Sequence, residues 1–126
     1  MSIFDKLLET DAAKLREKEK TELKIKRLSD MLGEPFLVTC SALTEDQISH
    51  VAEISKNGDF RANLILESCR VEGRRLNDNE LLAKLGVASG KDAVKTLFSS
   101  GEIGTIYATI NRLSGYDEDA VTEVKN

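Results

Sequence analysis

Thr21-Glu22-Leu23-Lys24-Ile25-Lys26 alternates apolar with charged side chains, and Pro35-Phe36-Leu37-Val38-Thr39-Cys40-Ser41-Ala42 follows with Phe36, Val38 and Cys40 in one phase. A strand turns successive side chains to opposite faces. Leu23 and Ile25 therefore share a face of the first segment, and Phe36, Val38 and Cys40 share a face of the second. Between them, Ser29–Leu32 suits a short helical turn stopped by Gly33. The two segments read as a small sheet within residues 21–43. One continuous helix through Leu32 is the competing reading, because Leu28, Met31 and Leu32 also fall at helical spacing.

Beyond Leu43 the pattern is helical to the end. Thr44-Glu45-Asp46-Gln47 has capping-box spacing. It leads into Ile48, Val51, Ala52 and Ile54, with Asn57-Gly58 as the stop. Phe60, Leu64, Ile65, Leu66 and Cys69 are apolar over a wide arc, so the second helix is expected at the centre of the core. Asn77 suits the cap of a short third helix with Leu81, Leu82 and Leu85, ended by Gly86. A fourth carries Ala93, Val94, Leu97 and Phe98. The fifth has the cleanest period, Ile103, Ile106, Tyr107, Ile110 and Leu113, closed by Gly115. Asp117 suits the cap of a last short helix with Ala120, Val121 and Val124, its first-turn acids matching the positive end of the helix dipole.

Upstream of the sheet, Ile3, Phe4, Leu7 and Leu8, then Ala12 and Leu15, recur at helical spacing. From Lys14 to Arg27 seven basic residues face three acidic ones, a local balance of +4 with a thin apolar stripe. An exposed helix or a mobile arm fits that composition. The domain reading is an N-terminal amphipathic, charged helix or arm over residues 1–20 and a single mostly helical domain over 21–126. The fold class is α+β, predominantly α, with a two-stranded sheet near the N-terminus and a bundle of five or six short helices.

A chain of 126 residues with 40% hydrophobic and 32% charged residues has the composition of a soluble globular domain. The net charge of −4 disfavours general nucleic-acid binding. The Lys14–Arg27 run has no interleaved aromatic residue on which bases would stack. No apolar run approaches the roughly 20 residues of a membrane span. Cys40 and Cys69 fit no metal-ligand spacing and read as buried, reduced thiols of a cytoplasmic protein.

Catalytic constellations are also missing from the sequence. His50 is the only histidine, which leaves no Cys/His pair and no multi-histidine metal site. Asp117, Glu118 and Asp119 are bunched on one expected helix start, and Asp78 and Glu80 lack the glycine and later glutamate of a calcium loop. Arg70, Arg74 and Arg75 around Gly73 suit either a clamp for phosphates or carboxylates, or a solvated turn at a helix end. The expectation is a protein with no enzymatic activity, cofactor or metal.

The C-terminal half carries a family resemblance. Leu81-Leu82-Ala83-Lys84-Leu85-Gly86-Val87-Ala88, then Val94 through Phe98, then Gly101-Glu102-Ile103, is similar to the XkdN-like tail assembly chaperones. These are found in PBSX-type prophages, phages and tail-like particles of Gram-positive bacteria. Leu113-Ser114-Gly115-Tyr116-Asp117-Glu118-Asp119-Ala120-Val121 with Val124-Lys125-Asn126 resembles the family's ending. Lys26-Arg27-Leu28-Ser29, Gly33-Glu34-Pro35-Phe36 and Leu43-Thr44 match its front. The stretch Gly73–Asp78 departs from it in lacking prolines.

The resemblance implies a protein of the host bacterium's cytoplasm that binds the tape-measure protein during tail assembly and is absent from the mature particle. Delivery of major tail tube subunits is a second role it implies. A longer form made by −1 frameshifting is a further implied partner. Val124-Lys125-Asn126 can be encoded as GUA-AAA-AAC, which contains a slippery heptamer, so the frameshift is a hypothesis that other codons at these positions would sink. A structural tail tube or completion protein is the alternative function.

A chaperone for helical clients needs apolar surface that is exposed before binding and covered afterwards. Two candidate surfaces follow. One is whichever of Leu97, Phe98, Ile103, Tyr107 and Ile110 is not already core. The other is Ile3, Phe4, Leu7 and Leu8, whose position on a terminal helix suits client docking or self-association into a homo-oligomer.

Overall fold

The sheet has four strands, twice the expected number, in a computed structural model that describes residues 2–125. β1 (Lys20–Lys24) and β2 (Leu37–Ser41) pair antiparallel from Lys20↔Ser41 to Lys24↔Leu37. This pairing replaces the competing single helix. The alternation drives it, because Val38 and Cys40 project into the core from β2. Ile25 leaves the strand to cap α3 (Lys26–Leu32), which Gly33 ends in the left-handed conformation at φ 75°. The buried Ser29 hydroxyl fixes α3 to the sheet, donating to the Ile25 carbonyl and accepting from the Phe36 N–H, both at 2.8 Å.

The additional strands lie where a helix end was expected. α5 (Phe60–Ser68) stops one residue before Cys69, and Cys69–Val71 becomes β3, paired with β2 through Thr39↔Arg70 and Cys40↔Cys69. Glu72 at φ 50° and Gly73 at φ 80° then turn the chain into β4 (Arg74–Arg75). Two consecutive positive φ angles match the right-handed strand twist in a tight hairpin. The pair Glu72-Gly73 is not among the usual Asn-Gly or Asp-Gly hairpin signals, so the sequence points to a turn at a helix end here and not to a hairpin.

Five helices pack on one another, with α8 against β2: α4 (Glu45–Ile54), α5, α6 (Asn79–Leu85), α7 (Gly90–Leu97) and α8 (Ser100–Leu113). Two more, α1 (Ile3–Glu9) and α2 (Ala12–Leu15), precede β1, and with α3 the described residues form eight helices in all. α5 is central as expected, packing against α4, α7 and α8. Leu64, Ile65, Val51, Val94, Ile106 and Ile110 meet Val38 and Cys40 in one core. Thr44 and Gln47 form the expected capping box of α4, and Ser99 and Glu102 form a second one on α8.

Two helix boundaries differ from expectation, and one expected helix is missing. α4 ends at Ile54 with Ser55 as its C-cap, ahead of Asn57-Gly58. Asp78, rather than Asn77, caps α6, its carboxylate accepting from the Glu80 and Leu81 N–H groups. The final helix does not form: Asp117–Val121 is a run of bends and turns. Ala120, Val121 and Val124 are all exposed, and so short a segment with no covered apolar face does not sustain a helix. Asn126, on which the proposed slip site partly falls, lies outside the described residues.

Candidate functional site

Ser2 caps α1, its hydroxyl accepting from the Asp5 N–H at 3.1 Å. No residue of α1 is buried. Ile3 is 83% exposed, Phe4 64%, Leu7 47% and Leu8 69%. Side chains at spacings of three and four residues share one helix face, so these four form a continuous apolar stripe open to solvent. Asp11 caps α2, and Leu15 on it is also exposed. A helix of seven residues is marginal in water without a packed face.

The C-terminal candidates divide. Phe98 and Ile110 are buried in the core, out of reach of a partner in this fold. Leu97, Ile103 and Tyr107 are half-buried and pack against that core. Tyr107 meets Phe60 edge to face with ring centroids 6.3 Å apart, and the Arg61 guanidinium lies 5.1 Å from the Tyr107 ring. These contacts hold the ring to α5. The pair of helices therefore presents a small apolar surface, and the N-terminal helix a larger one.

A further apolar surface was missed by sequence reasoning. Met31, Leu32 and Leu37 are exposed, and Leu32 and Leu37 line a hollow with Pro35, Phe36 and Val71. Leu37 stands in the opposite strand phase from Phe36, Val38 and Cys40. That phase was the available signal.

A groove of about 530 Å³ runs between β1, the start of α3 and the start of α8. Leu23 and Ile25 line it with Lys24, Lys26, Gly101 and Thr105, and Arg27 with Glu102 joins its two walls. Arg27 Nε and Nη2 lie 3.2 and 2.9 Å from the two Glu102 oxygens, and Nη2 also donates to the Leu97 carbonyl at 2.8 Å. The hydrogen bonds from Arg27 hold the Glu102 carboxyl below its ordinary range, with a smaller contribution from Ser99. Glu102 in turn raises the Arg27 guanidinium.

The other basic features are occupied or dispersed. Arg74 pairs with Asp78 at 2.7 Å and Arg75 with Glu67 at 3.4 Å, while Arg70 donates to the Glu67 and Cys69 carbonyls. The arginines therefore brace the β3–β4 hairpin against its neighbours, which favours the structural side of the two readings. The Lys14–Arg27 run is neither one helix nor one arm, since it crosses the end of α2, a connecting segment, β1 and the start of α3. His50 is exposed on α4. Among the described residues no three metal-ligating side chains gather, and no helix is long and apolar enough to cross a membrane.

The described residues form a small α+β protein with apolar side chains left exposed on α1, α2, α3 and β2. The chain belongs to the phage XkdN-like tail assembly chaperone family, whose pattern it matches over residues 4–125. Neither the curated proteins nor the solved structures gave a match.

Proposed function

We propose that this chain binds the tape-measure protein during tail morphogenesis and keeps it from aggregating until the tube forms around it. The observation that carries the reading is α1, a capped helix with its whole apolar stripe exposed. Covering a side chain of this size contributes about 1.5–3 kcal/mol when burial is complete. A helical client laid against Ile3, Phe4, Leu7 and Leu8 would stabilise α1 while hiding its own apolar face. Leu97, Ile103 and Tyr107 supply a secondary contact surface; Phe98 and Ile110 support it from the core.

In this reading residues 1–20 are the client-binding arm and 21–126 the domain that carries it. The chaperone acts in the host cytoplasm and leaves before the particle is complete. Delivery of tube subunits and pairing with a frameshifted long form extend the same role. The gene tests the latter: codons other than a slippery heptamer at Val124–Asn126, or no overlapping −1 frame, remove it.

The competing reading is a structural tail component. Particle composition separates the two. The proposal expects this chain in lysates but not in purified particles, and expects tape-measure protein from infected or induced cells to co-purify with it before tails form. Its recovery in finished particles at a fixed ratio to tube subunits would establish the structural role instead.

A further inference from the structure

Cys40 and Cys69 sit opposite each other on β2 and β3, with Sγ atoms 3.7 Å apart and both side chains fully buried. Their place in the ladder is specific. The Ile25 N–H donates to the Phe36 carbonyl and the Ala42 N–H to the Glu19 carbonyl, so the even-numbered residues of this stretch turn their backbone groups toward β1. Ser41 turns the other way, its N–H and carbonyl both meeting the Ser68 hydroxyl, at 3.1 and 2.7 Å. Cys40 and Cys69 are therefore a non-hydrogen-bonded pair. Such positions bring Cα atoms to about 4.5 Å and side chains closest together, within the range of about 4.4–6.8 Å that a disulfide spans.

We infer that Cys40 and Cys69 form an oxidisable dithiol, a modification site at which a low-molecular-weight disulfide converts the pair to a cross-strand disulfide without rearranging the sheet. The hydrogen bond between the sulfurs lowers the Cys40 pKa, and the same contact together with burial raises that of Cys69, so the closed pair favours Cys40 as the first thiolate. Access comes through the edge of the sheet. β3 has three residues and β4 two, and both β4 residues are exposed, so a local opening of this hairpin uncovers the pair.

Cys40 thiolate attacks one sulfur of the small disulfide, whose S–S bond breaks to release one thiolate. Cys69, deprotonated in the opened state, then attacks Cys40 Sγ and displaces the second thiolate. Two protein thiols are oxidised to one disulfide, the co-reactant is reduced to two thiols, and the protons pass to the departing thiolates. The new bond closes a loop containing α4 and α5.

Oxidised glutathione is the probe. The full-length folded chain is incubated with it, denatured with an alkylating reagent, and read by intact mass and peptide mapping. The inference expects a monomer lighter by two hydrogens, with no alkylation and a Cys40–Cys69 linked peptide. For a loop spanning 29 residues, the melting midpoint should rise by about 10 °C and return on reduction. The Cys69→Ala variant should gain neither the link nor the rise, and should stop at a mixed disulfide on Cys40. Full alkylation of both thiols after prolonged incubation, glutathione adducts or dimers in place of the internal link, or a linked protein melting no higher than the reduced one, would overturn it.

Discussion

Arg27 and Glu102, 75 residues apart in sequence, close a two-pronged ion pair between the first turns of α3 and α8. Glu102 serves twice there, because the oxygen that meets Arg27 at 2.9 Å also accepts from the Ser99 N–H at 2.8 Å as part of the capping box. One carboxylate thus completes a helix cap and ties the strand–helix segment to the helical layer. Its charged form is what both partners need.

Acid should therefore loosen the fold in a defined direction. Glu102, Asp59 and Asp78 are all held below the ordinary carboxylate range, by Arg27, by Lys95 with Lys91, and by Arg74 respectively. A depressed carboxylate contributes stability that is fully present above its unfolded pKa and lost as pH falls through its folded one. The melting midpoint is expected to hold near neutrality and to fall once pH passes below the ordinary carboxylate range. Glu102→Gln should lower the midpoint slightly at neutral pH and reduce its acid dependence. The pairs are solvent-exposed and screened, so each effect is small. Melting curves across pH check this.

Two glycines should respond oppositely to alanine. A Cβ on Gly90 would lie 2.7 and 2.8 Å from the Leu66 methyl carbons and 2.9 Å from Asn77 Cβ. Gly90→Ala is expected to cost about 1–3 kcal/mol through overpacking. Gly104, inside α8, has open space around that position. Gly104→Ala is expected to stabilise by about 0.4–1 kcal/mol. Urea unfolding of both variants measures the difference.

Core and surface apolar positions should separate as cleanly. Ile110→Ala is expected to cost about 2–5 kcal/mol and Phe98→Ala about 3–5 kcal/mol, as buried truncations do. Ile3→Ser and Leu8→Ser, on an exposed helix, should stay within about 0.5 kcal/mol. Chemical denaturation of the four variants tests the assignment of each residue.

Patterns that depend on nearest neighbours were legible in the sequence. The alternation of Leu23/Ile25 and Val38/Cys40, the Thr44–Gln47 box and the Gly33 stop all carry their physics within a few residues. The β3–β4 hairpin was not legible, because Cys69 and Arg70 become strand only by pairing with Cys40 and Thr39 far upstream. The Asp117 helix was over-read for the converse reason: a good cap and acidic first turn need a core to pack on, and Val121 and Val124 meet none. For the candidate surface, periodicity identified both apolar stripes but could not tell that Phe98 and Ile110 face inward while Ile3 and Phe4 face solvent.

The most direct test of client binding through α1 is co-expression of the tape-measure protein with this chain or with its Phe4→Ser/Leu7→Ser variant, scoring soluble client that co-purifies. The account predicts that the wild-type chain keeps the client soluble and bound, and that the variant loses most of this while melting at an unchanged temperature. A variant that retains the client as well as the wild-type chain would contradict it and place the binding surface elsewhere.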